Sequence, residues 1–171
     1  MEMQIQEITE QQIWLALEKV KDPEIPVISV VEMGMITGIQ LPSSDIGHRT
    51  CSITMTPTFV GCPAIDVIKK SIREEVMKLR FDEVEVKVDF ETQWTSDRMK
   101  PEAKLKLEKF GLAPPVLLND DELTVKQLNS VRCPHCHSTD TTLRSAFGST
   151  LCRATRFCFS CKQGFEQFKP V

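Results

Sequence analysis

Residues 131–161 read VRCPHCHSTDTTLRSAFGSTLCRATRFCFSC, and this stretch decides how the C-terminal end of the chain folds. Two C-x-x-C pairs, Cys133 with Cys136 and Cys158 with Cys161, stand 21 residues apart, a spacing close to that of many zinc sites. Each pair makes a tight turn that presents two thiolates to one ion. Four soft sulfurs in tetrahedral array suit zinc first and iron second, and a shell closed by four protein ligands serves structure rather than chemistry. Roughly forty residues bury too little apolar surface to fold without a cross-link. Residues 131–171 are therefore expected to form a zinc ribbon. Phe147, Phe157, Phe159, Phe165 and Phe168 are expected to supply its small core, and His135 and His137 to face solvent because the shell is already complete. Cys152, six residues ahead of Cys158, is the spare thiol: an alternative ligand or a small buried hydrophobe.

Ahead of the ribbon, periodicity is lost from Gly111 to Ser130, and Pro114 and Pro115 favour a semi-extended path, so a linker is placed at 113–130. Further upstream the chain reads α, β, β, α, β. Residues 9–21 put Ile13, Leu15, Leu17 and Val20 near one helical face, with Thr9 as N-cap and Gln12 three residues on. DPEIP at 22–26 excludes a continuing helix. Residues 35–41 and 51–56 read as a hairpin, and residues 84–90 alternate as a half-buried strand. Between them Ile65, Ile68, Ile72, Val76 and Leu79 recur at helical spacing, with Pro63 at the expected first helical position. A charged helix over 97–110 extends this first domain to residue 112. The expected class is α+β: a small sheet with helices packed on one face, followed by the ribbon.

Composition restricts the function classes. Of the 171 residues, 41% are apolar and 26% charged, enough for a modest core and too ordinary for general disorder. The first residues, MEMQIQEITEQQIW, carry acids and no apolar core of a secretory signal, and no apolar run approaches about 18 residues, so a cytoplasmic protein without membrane contact is expected. A reducing cytosol makes seven cysteines ligands or reactive thiols rather than disulfides. Residues 131–171 hold six Lys/Arg against two Asp/Glu, but no basic cluster, which argues against nucleic-acid binding by the ribbon.

A second constellation lies upstream. Cys62 sits where a helix begins, and unpaired N–H groups together with the helix dipole favour a thiolate there. Such a thiolate binds metal or attacks an electrophile; an inert packing cysteine is the equal alternative. Asp22 and Glu24 stand on the proline-stiffened DPEIP loop, able to orient a ligand, although a turn-capping Asp22 accounts for the spacing as well. No Ser-His-Asp pattern, phosphate-cradling glycine loop or H-E-x-x-H is present, and His48 falls in a polar turn. No catalytic residue emerges.

DPEIPVISVVEMGMI at 22–36 and MTPTFVGCPAIDVI at 55–68 resemble the two signatures of the SufT-like iron–sulfur cluster assembly domain, over roughly residues 8–92. QWTSDRMKPEAKLKLEKFGLAPP at 93–115, followed by CPHC, the GSTLC segment, CFSC and FEQFK, resembles the PaaD (PaaJ) family of phenylacetate degradation. The resemblance implies a non-catalytic accessory role beside the multicomponent phenylacetyl-CoA epoxidase, assisting assembly of its iron or iron–sulfur centres. It places the functional aspartate and cysteine of the assembly domain on Asp22 and Cys62, with Glu24 beside them, and it matches the four ribbon cysteines and Cys152. The implied cofactors are structural zinc and a transient iron or iron–sulfur cargo. The implied partners are epoxidase subunits or their iron–sulfur component, in a homodimer or heteromeric complex. The rival reading is an integral structural or electron-transfer subunit of the oxygenase.

Overall fold

The structure, a computed structural model, describes residues 8–41, 49–116 and 131–171. His48 and most of the expected linker lie outside the described residues. The chain forms two compact units: Met1–Pro57 with Pro63–Gln93, and Thr58–Cys62 with Trp94–Val171.

In the first unit, α1 (Glu10–Leu17) starts at a complete capping box, Thr9 accepting from the Gln12 N–H and Gln12 accepting from the Thr9 N–H. It is shorter than its periodicity predicts, because a turn closed by the Val20 N–H on the Leu17 carbonyl leads into the DPEIP loop. Strands β1 (Ile36–Gln40) and β2 (Thr50–Met55) pair antiparallel, as the hairpin reading expects, and α2 (Ile65–Met77) carries the chain to β3 (Glu83–Val88), parallel to β2. The sheet order is β1-β2-β3. Strand β2 alternates with Cys51, Ile53 and Met55 fully buried, and Val84 and Val86 continue that face on β3. The apolar stripe Ile68–Ile72–Val76 of α2 packs against β3, and the stripe Ile13–Ala16–Leu17 of α1 packs against α2. Each of the isoleucine, leucine and valine side chains contributes about 1.5–3 kcal/mol on burial. This is the α+β arrangement with helices on one face.

Helix α2 begins at Ile65 with Ala64 as N-cap, so Pro63 precedes the cap and is not the first helical residue. No side chain caps this end.

In the second unit a 3₁₀ turn at Ser96–Arg98 and helix α3 (Pro101–Phe110) replace the continuous helix expected over 97–110. Met99 and Lys100 are extended, as a residue preceding proline prefers. The αL residue Gly111, at φ +89°, ends α3. Strand β4 (Leu112–Ala113) then joins β5 (Thr141–Ser145), β6 (Arg153–Cys158) and β7 (Gly164–Phe168) in the order β4-β7-β6-β5. The segment that sequence reading attached to the first domain thus groups with the second unit. Strand β4 pairs parallel with β7, Trp94 packs on Phe168 with ring centroids 5.8 Å apart, and the Ser96 N–H donates to the Val171 carbonyl at 3.1 Å.

The expected core of five phenylalanines reduces to Phe165 and Phe168. Phe147 and Phe159 are 76% and 40% exposed, and Phe157 lies half-buried beneath the Arg144 guanidinium, 5.0 Å from its ring centroid. Ala113, Val131, Cys133 and Cys158 fill the remaining space around Phe165. Two of the metal cysteines, Cys133 and Cys158, are themselves core residues.

Candidate functional site

Residues 133–137 and 158–162 fold as matching knuckles. The His137 N–H closes on the Cys133 carbonyl at 2.9 Å, and the residue after the second cysteine in each, His137 or Lys162, adopts positive φ of 60° or 61°. The Ser138 and Ser160 hydroxyls, 2.7 Å apart, tie one knuckle to the other. All four sulfurs then lie within 4.8 Å of one another, with Cys133···Cys161 at 3.8 Å and Cys136···Cys158 at 3.5 Å.

A tetrahedral ion with metal–sulfur bonds of about 2.3 Å requires sulfur–sulfur edges of about 3.8 Å. The arrangement therefore fits a single zinc ion. A polynuclear cluster interposes sulfides and sets its cysteines farther apart. The electrostatics agree: the Cys161 N–H, aided by the Cys136 thiol and the Ser160 N–H, draws the Cys158 thiol down to about 7. Desolvation pushes Cys161 up to about 12 and Cys133 above its ordinary value. A cation is needed to hold all four as thiolates. His135 and His137 are exposed, as expected, and His137 Nδ1 lies 3.2 Å from Glu108 Oε1.

Cys152 is not part of the four-sulfur group. Its half-buried thiol lies 3.0 Å from the Thr150 hydroxyl, and its carbonyl accepts from the Lys169 N–H at 2.9 Å. The GST residues before it have a separate task that sequence reasoning missed. Glu166 on β7 accepts from the Ser149 N–H at 2.6 Å, the Ser149 hydroxyl at 3.0 Å and Arg153 Nη1 at 2.9 Å. Desolvation raises its pKa, but these donors outweigh it and hold the carboxyl below its usual value. A Cβ on Gly148 would come within 2.8 Å of Glu166 Oε1 and 2.9 Å of Arg153 Cβ, so glycine lets the loop close over the carboxylate.

In the first unit, Asp22 Oδ1 accepts from the N–H groups of Glu24 and Ile25 at 2.8 and 2.9 Å, folding the DPEIP loop on itself. Glu24 is exposed. The loop closes through a bridge between Lys21 and Ser29 and the Asp22 N–H on the Ile28 carbonyl. Glu32, 6% exposed, completes a reciprocal pair with Ser29 and lies 3.7 Å from Lys21 Nζ. Sequence reasoning passed over Ser29 and Glu32, although S-x-x-E is a recognisable capping signal.

Cys62, half-buried, belongs to the segment grouped with the second unit, whereas Asp22 and Glu24 belong to the first. Its N–H closes a turn on the Phe59 carbonyl at 3.3 Å. It stands two residues before the Ala64 N-cap, so the helix-start argument for its reactivity weakens, since the dipole acts over little more than the first turn. The remaining cysteine, Cys51, is sealed inside β2, and burial pushes its thiol up to about 11.

Comparison with known proteins matches two separate stretches of the chain. Residues 10–88 match the iron-sulfur cluster assembly protein family, and residues 119–169 match the PaaD zinc beta ribbon domain. A protein of Escherichia coli K12, provisionally named as one of the subunits of 1,2-phenylacetyl-CoA epoxidase, is 37% identical over 94% of this chain and 92% of its own length. An Fe-S protein maturation auxiliary factor of Porphyromonas gingivalis is 35% identical over 58% of this chain and 90% of its own. The crystal structure of a domain of unknown function, DUF59, from Bacillus anthracis superposes with a TM-score of 0.51 at 28% identity, covering 57% of this chain and 90% of that one. An assembly-type first unit, a four-cysteine zinc ribbon and a relative aligned across nearly the whole of both proteins lead to one conclusion: this chain belongs to the PaaD family.

Proposed function

We propose that this protein is a non-catalytic maturation factor that delivers iron or an iron–sulfur cluster to components of a phenylacetyl-CoA epoxidase, with Cys62 as the transient ligand. One observation carries the reading: the distribution of the seven thiols. Four are committed to a closed zinc shell and Cys51 is sealed in the sheet, which leaves Cys62 and Cys152. Cys62 lies in the GCP segment that resembles the assembly-domain signature, so it is assigned the cargo and Cys152 the place of a reserve ligand. Asp22 and Glu24 are assigned to the same task through their own signature. A relative named as an Fe-S protein maturation auxiliary factor supports the direction of the activity.

One thiol cannot complete a cluster shell, so a second copy of the chain or the client supplies the missing ligands. A cargo bound through so few sulfurs is readily released, which a carrier needs. Among the described residues no helix is long and apolar enough to cross a membrane; the proposed place of work is the cytoplasm, and neither membrane nor nucleic acid is a proposed partner.

The name of the Escherichia coli relative, that of an epoxidase component, favours a second reading, an integral part of the oxygenase. Order of addition separates the two. Epoxidase components produced without this protein should stay inactive when it is supplied afterwards and become active when it is co-expressed. Restoration by late addition of the purified protein would establish the integral-component reading. Within the maturation reading, Cys62→Ser should abolish client activation while leaving ribbon zinc in place, and full activation by that variant would remove Cys62 from the role.

A further inference from the structure

The segment Thr58–Cys62 is grouped with the ribbon unit, and one ribbon side chain reaches it. Lys169 follows β7 directly, and its N–H donates to the Cys152 carbonyl, extending the β6–β7 ladder by one pair. Its side chain ends over aromatic rings: Nζ lies 5.1 Å from the Phe59 centroid and 5.9 Å from the Phe147 centroid, and it donates to the Ala146 carbonyl at 3.3 Å. Phe59 begins the turn that the Cys62 N–H closes.

We propose that Lys169 is a positioning residue for the cargo thiol: its ammonium, set between Phe59 and Phe147, pins the Phe59–Cys62 turn to the β5–β6 loop of the ribbon. Three facts support this. An ammonium over a ring face is attracted by the ring quadrupole, and two rings sharing one ammonium are held together through it. Phe147 is 76% exposed, its backbone held by the Ser145 and Thr155 hydroxyls, so its ring meets the cation without core packing around it. The Val60–Gly61 pair between Phe59 and Cys62 is exposed, with Gly61 at φ +81°, and offers the turn little restraint of its own. The ribbon thereby acquires a task beyond holding zinc. Its hairpin register sets where Lys169 stands, and Lys169 sets where the Cys62 turn stands.

The functional half of this inference rests on the reading of Cys62 as the cargo thiol; the clamp itself does not. Two measurements keep them apart, each on the full-length zinc-loaded protein carrying Lys169→Met, which keeps the alkyl stem and loses the charge, and Lys169→Arg, which keeps a cation. The first is amide hydrogen exchange of a peptide spanning residues 58–62. Exchange should speed by roughly threefold to tenfold in Lys169→Met, as expected for loss of a cation–π pair, and return towards the parent rate in Lys169→Arg, with zinc content equal in all three. Unchanged exchange in Lys169→Met overturns the clamp. The second is client activation, which should fall in Lys169→Met and recover in Lys169→Arg. If exchange responds while neither Lys169→Met nor Cys62→Ser alters activation, the clamp stands and the cargo role of Cys62 fails. If exchange responds and Cys62→Ser is inactive while Lys169→Met activates normally, Lys169 has no positioning role.

Discussion

The four zinc cysteines were legible from spacing alone, because two knuckles of fixed geometry are the usual way a short chain brings four sulfurs to one ion. Their separate proton affinities were not legible, since these depend on which knuckle N–H groups reach which sulfur. With Cys161 pushed up to about 12, Cys133 raised and Cys158 drawn down to about 7, the metal-free ribbon holds Cys161 and Cys133 protonated at neutral pH. Zinc uptake at pH 7 should therefore release at least about two protons per ion, read from calorimetry in buffers of different ionisation enthalpy. The sign follows: affinity falls as pH falls, because protons compete for sulfur. Release of less than one proton would show that the thiols are already ionised without metal. At Gly148 the constraint is steric. Gly148→Ala forces a Cβ against Glu166 and the backbone of Arg153, and should cost about 1–3 kcal/mol, seen as a lower melting temperature.

At the scale of elements, the hairpin, α2 and the alternating third strand follow from hydrophobic period. The details that failed are local. Helix α1 stops at Leu17 although apolar residues continue, because a side chain can keep helical spacing while its backbone turns into a loop. The 97–110 helix is broken where Pro101 forbids Lys100 the helical conformation. The DPEIP loop bears on function most directly, since Asp22 is at once a structural acceptor and a proposed site residue. Asp22→Ala removes the acceptor for two backbone N–H groups and should destabilise the first unit by about 1–2 kcal/mol. Asp22→Asn keeps an amide oxygen in the same place and should melt near the parent temperature. If Asp22→Asn also activates the client fully, the carboxylate charge is not used and Asp22 is a loop former only; loss of activation at unchanged stability assigns the charge to the cargo.

For the whole molecule, the order of elements was legible, but the division into units follows contacts that no window of sequence contains. Strand β4 finds β7 across more than fifty residues, and the chain enters the second unit at 58–62, returns to the first, and enters the second again at Trp94. Cys62 therefore travels with the unit that holds the zinc site. Structural zinc contributes on the order of 10–16 kcal/mol to small four-ligand domains at neutral pH, and its removal should loosen β6, β7 and with them Lys169. Chelation is then expected to affect a cysteine that binds no zinc. In an alkylation time course followed by mass spectrometry, stripping the metal should change the labelling rate of Cys62 along with those of Cys133, Cys136, Cys158 and Cys161, while Cys51, buried in the sheet of the first unit, stays protected. Re-addition of zinc should restore the starting rate. Cys133→Ala, which opens the shell, should reproduce the Cys62 change without chelator. A Cys62 rate indifferent to zinc would mean that its turn is held independently of the ribbon, and the metal would then stabilise the second unit without bearing on the thiol proposed to carry the cargo.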